Sequence, residues 1–233
     1  MSQGRLQQGF FLSFEGIEGC GKTTQITGLA RRLQALGYLV VKTREPGGSP
    51  LSEQIRALLL DPNNQGMDPR CELLLFLAVR AQHVNETIRP ALEKGAVVLC
   101  DRFTDATVAY QGYARGLGAA FVARLNRVAT SGLSPNLTIF LDVPVALGLA
   151  RKKKAGHLDR LDRERANFHQ AVRNGYIRIA EQHPRRVCTV DGTASKDDVG
   201  QEIDRIVQTP LRSRKRRLTR IERPSARMTR HAV

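Results

Sequence analysis

Residues Gly16-Ile17-Glu18-Gly19-Cys20-Gly21-Lys22-Thr23-Thr24 constrain this chain more than any other stretch. They read G-x-x-x-x-G-K-T, the phosphate-binding P-loop pattern, and they follow the apolar run Phe10–Phe14. Glycines let the backbone turn with its N–H groups inward, where they can cradle phosphate oxygens. Lys22 supplies a charge that can follow the β- and γ-phosphates, and the Thr23 hydroxyl can ligate Mg²⁺. A helix starting near Gly21 would add its N-terminal dipole. An ordinary glycine-rich strand-to-helix turn is the bland alternative. The context argues against it, because Ile26, Leu29, Ala30 and Leu33 recur at helical spacing directly behind the loop.

A strand–loop–helix start implies an α/β fold, and the rest of the chain repeats the alternation. Apolar runs at Tyr38–Thr43, Ala96–Cys100, Leu137–Leu141 and Arg186–Val190 read as four more strands, with helical patterns between them. Helices are expected over Leu51–Leu60, over Pro69–Glu93 with a bend near Pro90, through Tyr110 with a break over Gln111–Gly118, and over Ala119–Thr130. Three more are expected from Pro144 to about Lys154, from about Asp159 to Gln182, and over Lys196–Val207. Right-handed crossovers make this a three-layer fold, a five-stranded parallel sheet flanked by helices. Ligands of such sheets gather at the strands' carboxyl ends. The P-loop, the turn Arg44–Pro50 and Asp101-Arg102 all fall there, so they should share one crevice.

Length and charge bound the organisation. At 233 residues a single domain is expected over 10–210, with an arm at 1–9 and a basic tail at 211–233. The formal charge is +15, and the last 23 residues hold nine Lys/Arg against Glu222. That tail is expected to be a disordered extension, with RNA or an anionic surface as a weak partner through counterion release. No run of about eighteen apolar residues occurs, so no membrane span is expected. Four scattered cysteines without C-x-x-C spacing fit reduced thiols in a cytoplasmic protein.

Six segments occur together in the order seen in bacterial thymidylate kinases. They are Gly16–Thr24, Arg44-Glu45-Pro46-Gly47-Gly48, Asp101-Arg102-Phe103, Ala109-Tyr110-Gln111-Gly112, Arg115-Gly116 and Leu158-Asp159-Arg160. The chain resembles that family over about residues 10–208. The resemblance implies the P-loop kinase fold, Mg²⁺-dependent transfer of a phosphoryl group from ATP to dTMP giving dTDP, and a homodimer. It implies that Gly16, Ile17, Glu18, Gly19, Cys20, Gly21, Lys22, Thr23 and Thr24 hold ATP, with Arg160 as a further contact. Asp101 would sit with Thr23 near the metal, and Arg102 would clamp the acceptor phosphate, where a guanidinium fork suits better than an ammonium. Glu45 and Pro46 would line the acceptor site, and Arg56 would reach toward the base. Phe76 would stack on thymine and Arg80, one turn on, would bond the base edge; Thr107, Tyr110 and Gln111 would flank sugar and base.

The segment 151–160 corresponds to the family's lid. In the subgroup with an acid in the P-loop, which Glu18 fits, the lid supplies a catalytic positive charge. Here Ala155 stands where an arginine is common, so Arg151, one of Lys152–Lys154 (Lys153 among them) or Arg160 is left to carry it. Another pyrimidine monophosphate kinase is the nearest alternative, and a nucleic-acid-binding NTPase using the tail is the more distant one.

Overall fold

The computed structural model describes residues 9–156 and 158–221, with side chains through Leu211. Five strands, β1 (Phe10–Glu15), β2 (Val40–Arg44), β3 (Val97–Asp101), β4 (Leu137–Asp142) and β5 (Val187–Asp191), form one sheet in the order β2-β3-β1-β4-β5. Every pairing is parallel. All six residues of β1 are buried. Alternate side chains enter two different cores: Phe10, Leu12 and Phe14 one, Phe11 with Val98 and Cys100 the other. A strand covered on both faces reads as a nearly continuous apolar run, as β3 does over Val97–Cys100 and β1 over Phe10–Phe14. Its one hydroxyl, Ser13, is satisfied by Thr138 Oγ1 at 2.8 Å.

Helices α1 (Lys22–Ala35), α2 (Pro50–Leu60), α3 (Pro69–His83), α4 (Arg89–Glu93), α5 (Thr104–Thr107) and α6 (Ala119–Ala129) are followed by α7 (Val145–Lys154), α8 (Ala166–Gln182) and α9 (Lys196–Ile221). Four boundaries differ from the sequence expectation. The single helix expected over 69–93 is divided by a π turn, Val84–Ile88, so the change of geometry falls before Pro90, which has no N–H to donate back. Helical backbone also continues through Tyr110 as a second π turn, Val108–Ala114, where a break at Gln111 was expected.

Helix α8 begins at Ala166 and not near Asp159. Asp159 Oδ1 accepts from the N–H groups of Leu161 and Asp162, and Asp162 Oδ2 accepts from that of Asp159, so the short acids fold this stretch into turns. The last helix, expected to stop at Val207, runs on past Pro210 to Ile221. Residues 1–8, 157 and 222–233, and the side chains the tail would need to bind RNA or an anionic surface, lie outside the described residues.

The order places β1 between β3 and β4, so the connections from β1 and from β3 leave the sheet side by side at its carboxyl edge. That reversal point is where a parallel sheet opens a crevice. Among the described residues no helix is long and apolar enough to cross a membrane.

Candidate active site

The P-loop leaves β1 through backbone that only glycine adopts easily. Gly16 has φ 137° and Gly19 φ 70°. A Cβ on Gly16 would stand 2.5 Å from the carbonyl oxygen of Leu141, and one on Gly19 would overlap that of Gly148 on α7. The Lys22 ammonium, almost buried, donates to the carbonyls of Gly16 and Ile17, both at 3.1 Å, so its charge is held within the loop's curve. Thr23 Oγ1 donates to Asp101 Oδ2 at 3.0 Å, joining the start of α1 to the end of β3. A hydroxyl and a carboxylate side by side form a hard oxygen donor pair, which suits Mg²⁺.

Behind the loop lies a cluster around Glu18. Arg102 Nη2 donates to Glu18 Oε1 at 3.0 Å, and its Nη1 donates to Gly16 O at 2.9 Å and Tyr176 Oη at 3.0 Å. The Tyr110 hydroxyl donates to Glu18 Oε1 at 2.5 Å, and the Arg102 guanidinium lies 5.0 Å from the Tyr110 ring centre. His169 Nδ1 stands 3.3 Å from Glu18 Oε2. Burial alone would push the Glu18 carboxyl up; the Arg102 charge, with His169, Lys22 and Tyr110, outweighs it and holds the group well below the usual carboxylate range. Arg102 adopts φ 69°, an uncommon backbone for a side-chain-bearing residue.

The opposite wall is built from the β2–α2 turn and α3. Glu45 is buried; Arg80 Nε donates to its Oε2 at 2.8 Å, and His83 Nδ1 meets its Oε1 at 3.0 Å. Arg80 also donates to Asn126 Oδ1 at 2.5 Å and to Phe103 O at 3.1 Å. Phe76, one turn before Arg80 on the same helix face, completes the wall. Arg56 Nη1 donates to Pro46 O at 2.6 Å. Arg44 grips Glu53 through two bonds, at 3.0 and 3.1 Å, so its fork is committed to the turn itself.

These walls enclose one cavity of about 780 Å³. Of the residues singled out in the sequence, Glu18, Gly19, Cys20, Gly21, Lys22, Thr23, Thr24, Glu45, Pro46, Arg56 and Phe76 line it. So do Arg80, Asp101, Arg102, Thr107, Tyr110, Gln111 and Arg151. Gly16 and Ile17 stand behind the loop and contribute their carbonyls to Lys22.

Two further expected residues are not brought to the cavity. Lys153 is exposed on α7. Arg160 is buried, with Nε donating to Leu59 O at 2.8 Å and Nη2 in an ion pair with Glu72 Oε2 at 2.6 Å. Glu18, expected to signal a lid-supplied arginine, has Arg102, Tyr110 and His169 as its partners, with none of the described residues of 151–160 among them. Arg151 does reach the cavity, donating to Gly192 O at 3.1 Å.

Sequence reasoning passed over Tyr176, His169 and Gly192, and had Lys152 only as one of the candidate cations of 151–160. Only Gly192 carried a signal, as the turn at the carboxyl end of β5.

With this geometry in place, comparison with known proteins is direct. A family model described as thymidylate kinase matches residues 14–203. The chain is 53% identical to a thymidylate kinase of Geotalea daltonii over 197 residues, covering 82% of this chain and 92% of that one. A thymidylate kinase of Desulfovibrio desulfuricans is 51% identical over 215 residues, 89% of this chain and 99% of that protein. The crystal structure of thymidylate kinase from Ehrlichia chaffeensis superposes with a TM-score of 0.71 at 34% identity, over 86% of this chain and 99% of that one. A family match over most of the domain, on a sheet whose carboxyl edge carries a P-loop opposite a Phe76–Arg80 wall, leads to one conclusion: the chain belongs to the thymidylate kinase family.

Proposed function

We propose that this protein phosphorylates dTMP to dTDP with ATP and Mg²⁺, in the supply of dTTP, and that it acts in the cytoplasm as a homodimer. The observation that carries the reading is the single cavity with a P-loop on one side and an aromatic–arginine wall on the other. Such a space suits two substrates end to end. MgATP, when bound, supplies the γ-phosphoryl group and the metal charge that offsets the negative oxygens.

The chain's own residues bind and orient. The P-loop N–H groups and Lys22 cradle the donor phosphates, and the Thr23–Asp101 pair provides the oxygen donors for the metal. Arg102, anchored on Gly16 O, Tyr176 and Glu18, turns the rest of its fork to the acceptor phosphate. Glu18, held ionised by that arginine, is a poor proton acceptor at neutral pH and serves to aim Arg102 and Tyr110. Phe76 offers a flat face to a pyrimidine, and Arg80 a remaining N–H to an edge oxygen, which favours thymine or uracil over cytosine. Thr107, Tyr110 and Gln111 lie along the sugar, and Arg56 with Pro46 closes that end. Arg151 is the cation of the 151–160 segment best placed to meet transferring charge. Exposed Leu74 on α3 with Phe121 and Val128 on α6 supports a partner subunit on that face.

The test is steady-state phosphorylation of dTMP, dUMP and CMP with MgATP. The expected order places dTMP first, and Lys22→Ala lowers kcat by about a hundredfold or more, the scale of a lost transition-state charge contact. Faster turnover of CMP than of dTMP would overturn the assignment.

A further inference from the structure

His83 is fully buried and does not line the cavity, yet it is bonded at both ring nitrogens. Nδ1 meets Glu45 Oε1 at 3.0 Å, and Nε2 meets Thr43 Oγ1 at 2.6 Å. Facing an acceptor-only carboxylate, Nδ1 must carry the hydrogen. Thr43 Oγ1, on β2, completes the ring's contacts at Nε2, so every polar atom of the ring is satisfied. Glu45 passes the constraint on, since its other oxygen holds Arg80 Nε at 2.8 Å. The result is a network of hydrogen bonds that converges on Glu45, from the sheet edge through His83 on one side and from the guanidinium beside Phe76 on the other.

The acceptor turn is moulded onto this ring. Gly48 has φ 90°, and a Cβ there would overlap His83 Nε2. Thr87 Oγ1 clamps the same glycine by donating to its carbonyl at 2.8 Å. A leucine at 83 could fill the space, but it would leave a buried carboxylate with one donor fewer and free to turn toward Arg80.

We infer that His83 is a positioning residue for recognition of the acceptor base: through its Nδ1–H it fixes the Glu45 carboxylate, which in turn sets the direction of Arg80. The inference rests on the dTMP reading above and names a part of that site which touches no substrate.

The experiment separates the two ring nitrogens. His83→Asn places an amide N–H where Nδ1 stands, whereas His83→Gln places one where Nε2 stands and abandons Glu45. With the full-length enzyme, Gln is expected to raise KM for dTMP about tenfold, as for a lost buried bond to a charged group, with kcat and KM for ATP within about twofold. Asn is expected to hold all three near wild type. Equal behaviour of the two variants, or a parallel rise in KM for ATP, overturns the inference, because a purely structural role would not distinguish the nitrogens. Should Gln fail to fold, Thr43→Val reads the same chain from its other end: a rise in KM for dTMP alone supports it, and no rise overturns it. Arg80→Lys serves as the control. If it raises KM for dTMP and His83→Gln does not, the inference falls alone; if the wild type does not phosphorylate dTMP, the functional reading falls with it.

Discussion

Glu72 offers the sharpest test of how the walls of this site are held together. It lies on α3, fully buried, and accepts three hydrogen bonds, from Gln111 Nε2 at 2.7 Å and Arg115 Nε at 3.2 Å on Oε1 and from Arg115 Nη2 at 3.1 Å on Oε2, while Arg160 Nη2 forms an ion pair with Oε2 at 2.6 Å. A carboxylate has about four acceptor positions, and three of them hold hydrogen bonds. Burial would push its carboxyl up, but the Arg115 hydrogen bonds prevail and hold it below the usual range. Its stabilisation is therefore present above the ordinary carboxylate pKa and is lost as pH falls through the lowered value.

Glu72→Gln keeps the shape, yet turns an amide N–H₂ against the two arginines, leaving buried Arg160 without its carboxylate and Arg115 with Glu164 alone, at 2.6 Å. Removing one partner from such a buried cluster costs about 3–5 kcal/mol. For a domain of this size that is a fall in Tm of roughly 10 °C. Thermal melts followed by circular dichroism, with urea titration as a second measure, would read it. A fall smaller than about 3 °C would refute the reasoning, because the arginines would then have found water or other partners at little cost.

Two further outcomes are expected. Burial, reinforced by the nearby Asp105 charge, pushes Glu15 up to about 8, so the fold favours its protonated form. The stability this confers is complete below the group's ordinary pKa and lost as pH rises through about 8; denaturation at about pH 5.5 and about pH 8.5 should show a decline that Glu15→Gln lacks, and parallel behaviour of the two proteins would count against it. Arg151→Ala should lower kcat by about tenfold or more while Lys153→Ala changes it little, since only Arg151 faces the cavity; the reverse order in a coupled assay would show that 151–160 rearranges during turnover.

Much of the frame was legible because a parallel α/β fold writes itself locally. β1 and β3 are short apolar runs followed by chemistry, so Lys22, Thr23, Asp101 and Arg102 could be placed on one edge before any coordinates. The partners behind them were not legible. Tyr176 and His169 lie on α8, well over a hundred residues from Glu15 and Glu18, and their helix shows only that some of its face is buried. Glu72 and Arg160 carry charges that sequence patterns assign to solvent or substrate; only the fold shows that they neutralise each other. The start of α8 was missed for a local reason. Asp159 and Asp162 bond backbone N–H groups of their own turn, which competes with a helix that composition alone would have started there.

The contact of Gly19 with Gly148 has a consequence for motion. Two backbones touch here with no side chain between them: a Cβ on Gly148 would stand 2.5 Å from the carbonyl of Glu18, and one on Gly19 would overlap the Gly148 carbonyl. A side chain could turn and absorb a displacement, but peptide planes in contact cannot. Any shift of the phosphate loop as its anion arrives must push on α7, and with it on Arg151 one turn further along. Helix and loop then behave as two parts of one lever, and the fulcrum is a place where neither chain can carry so much as a methyl group.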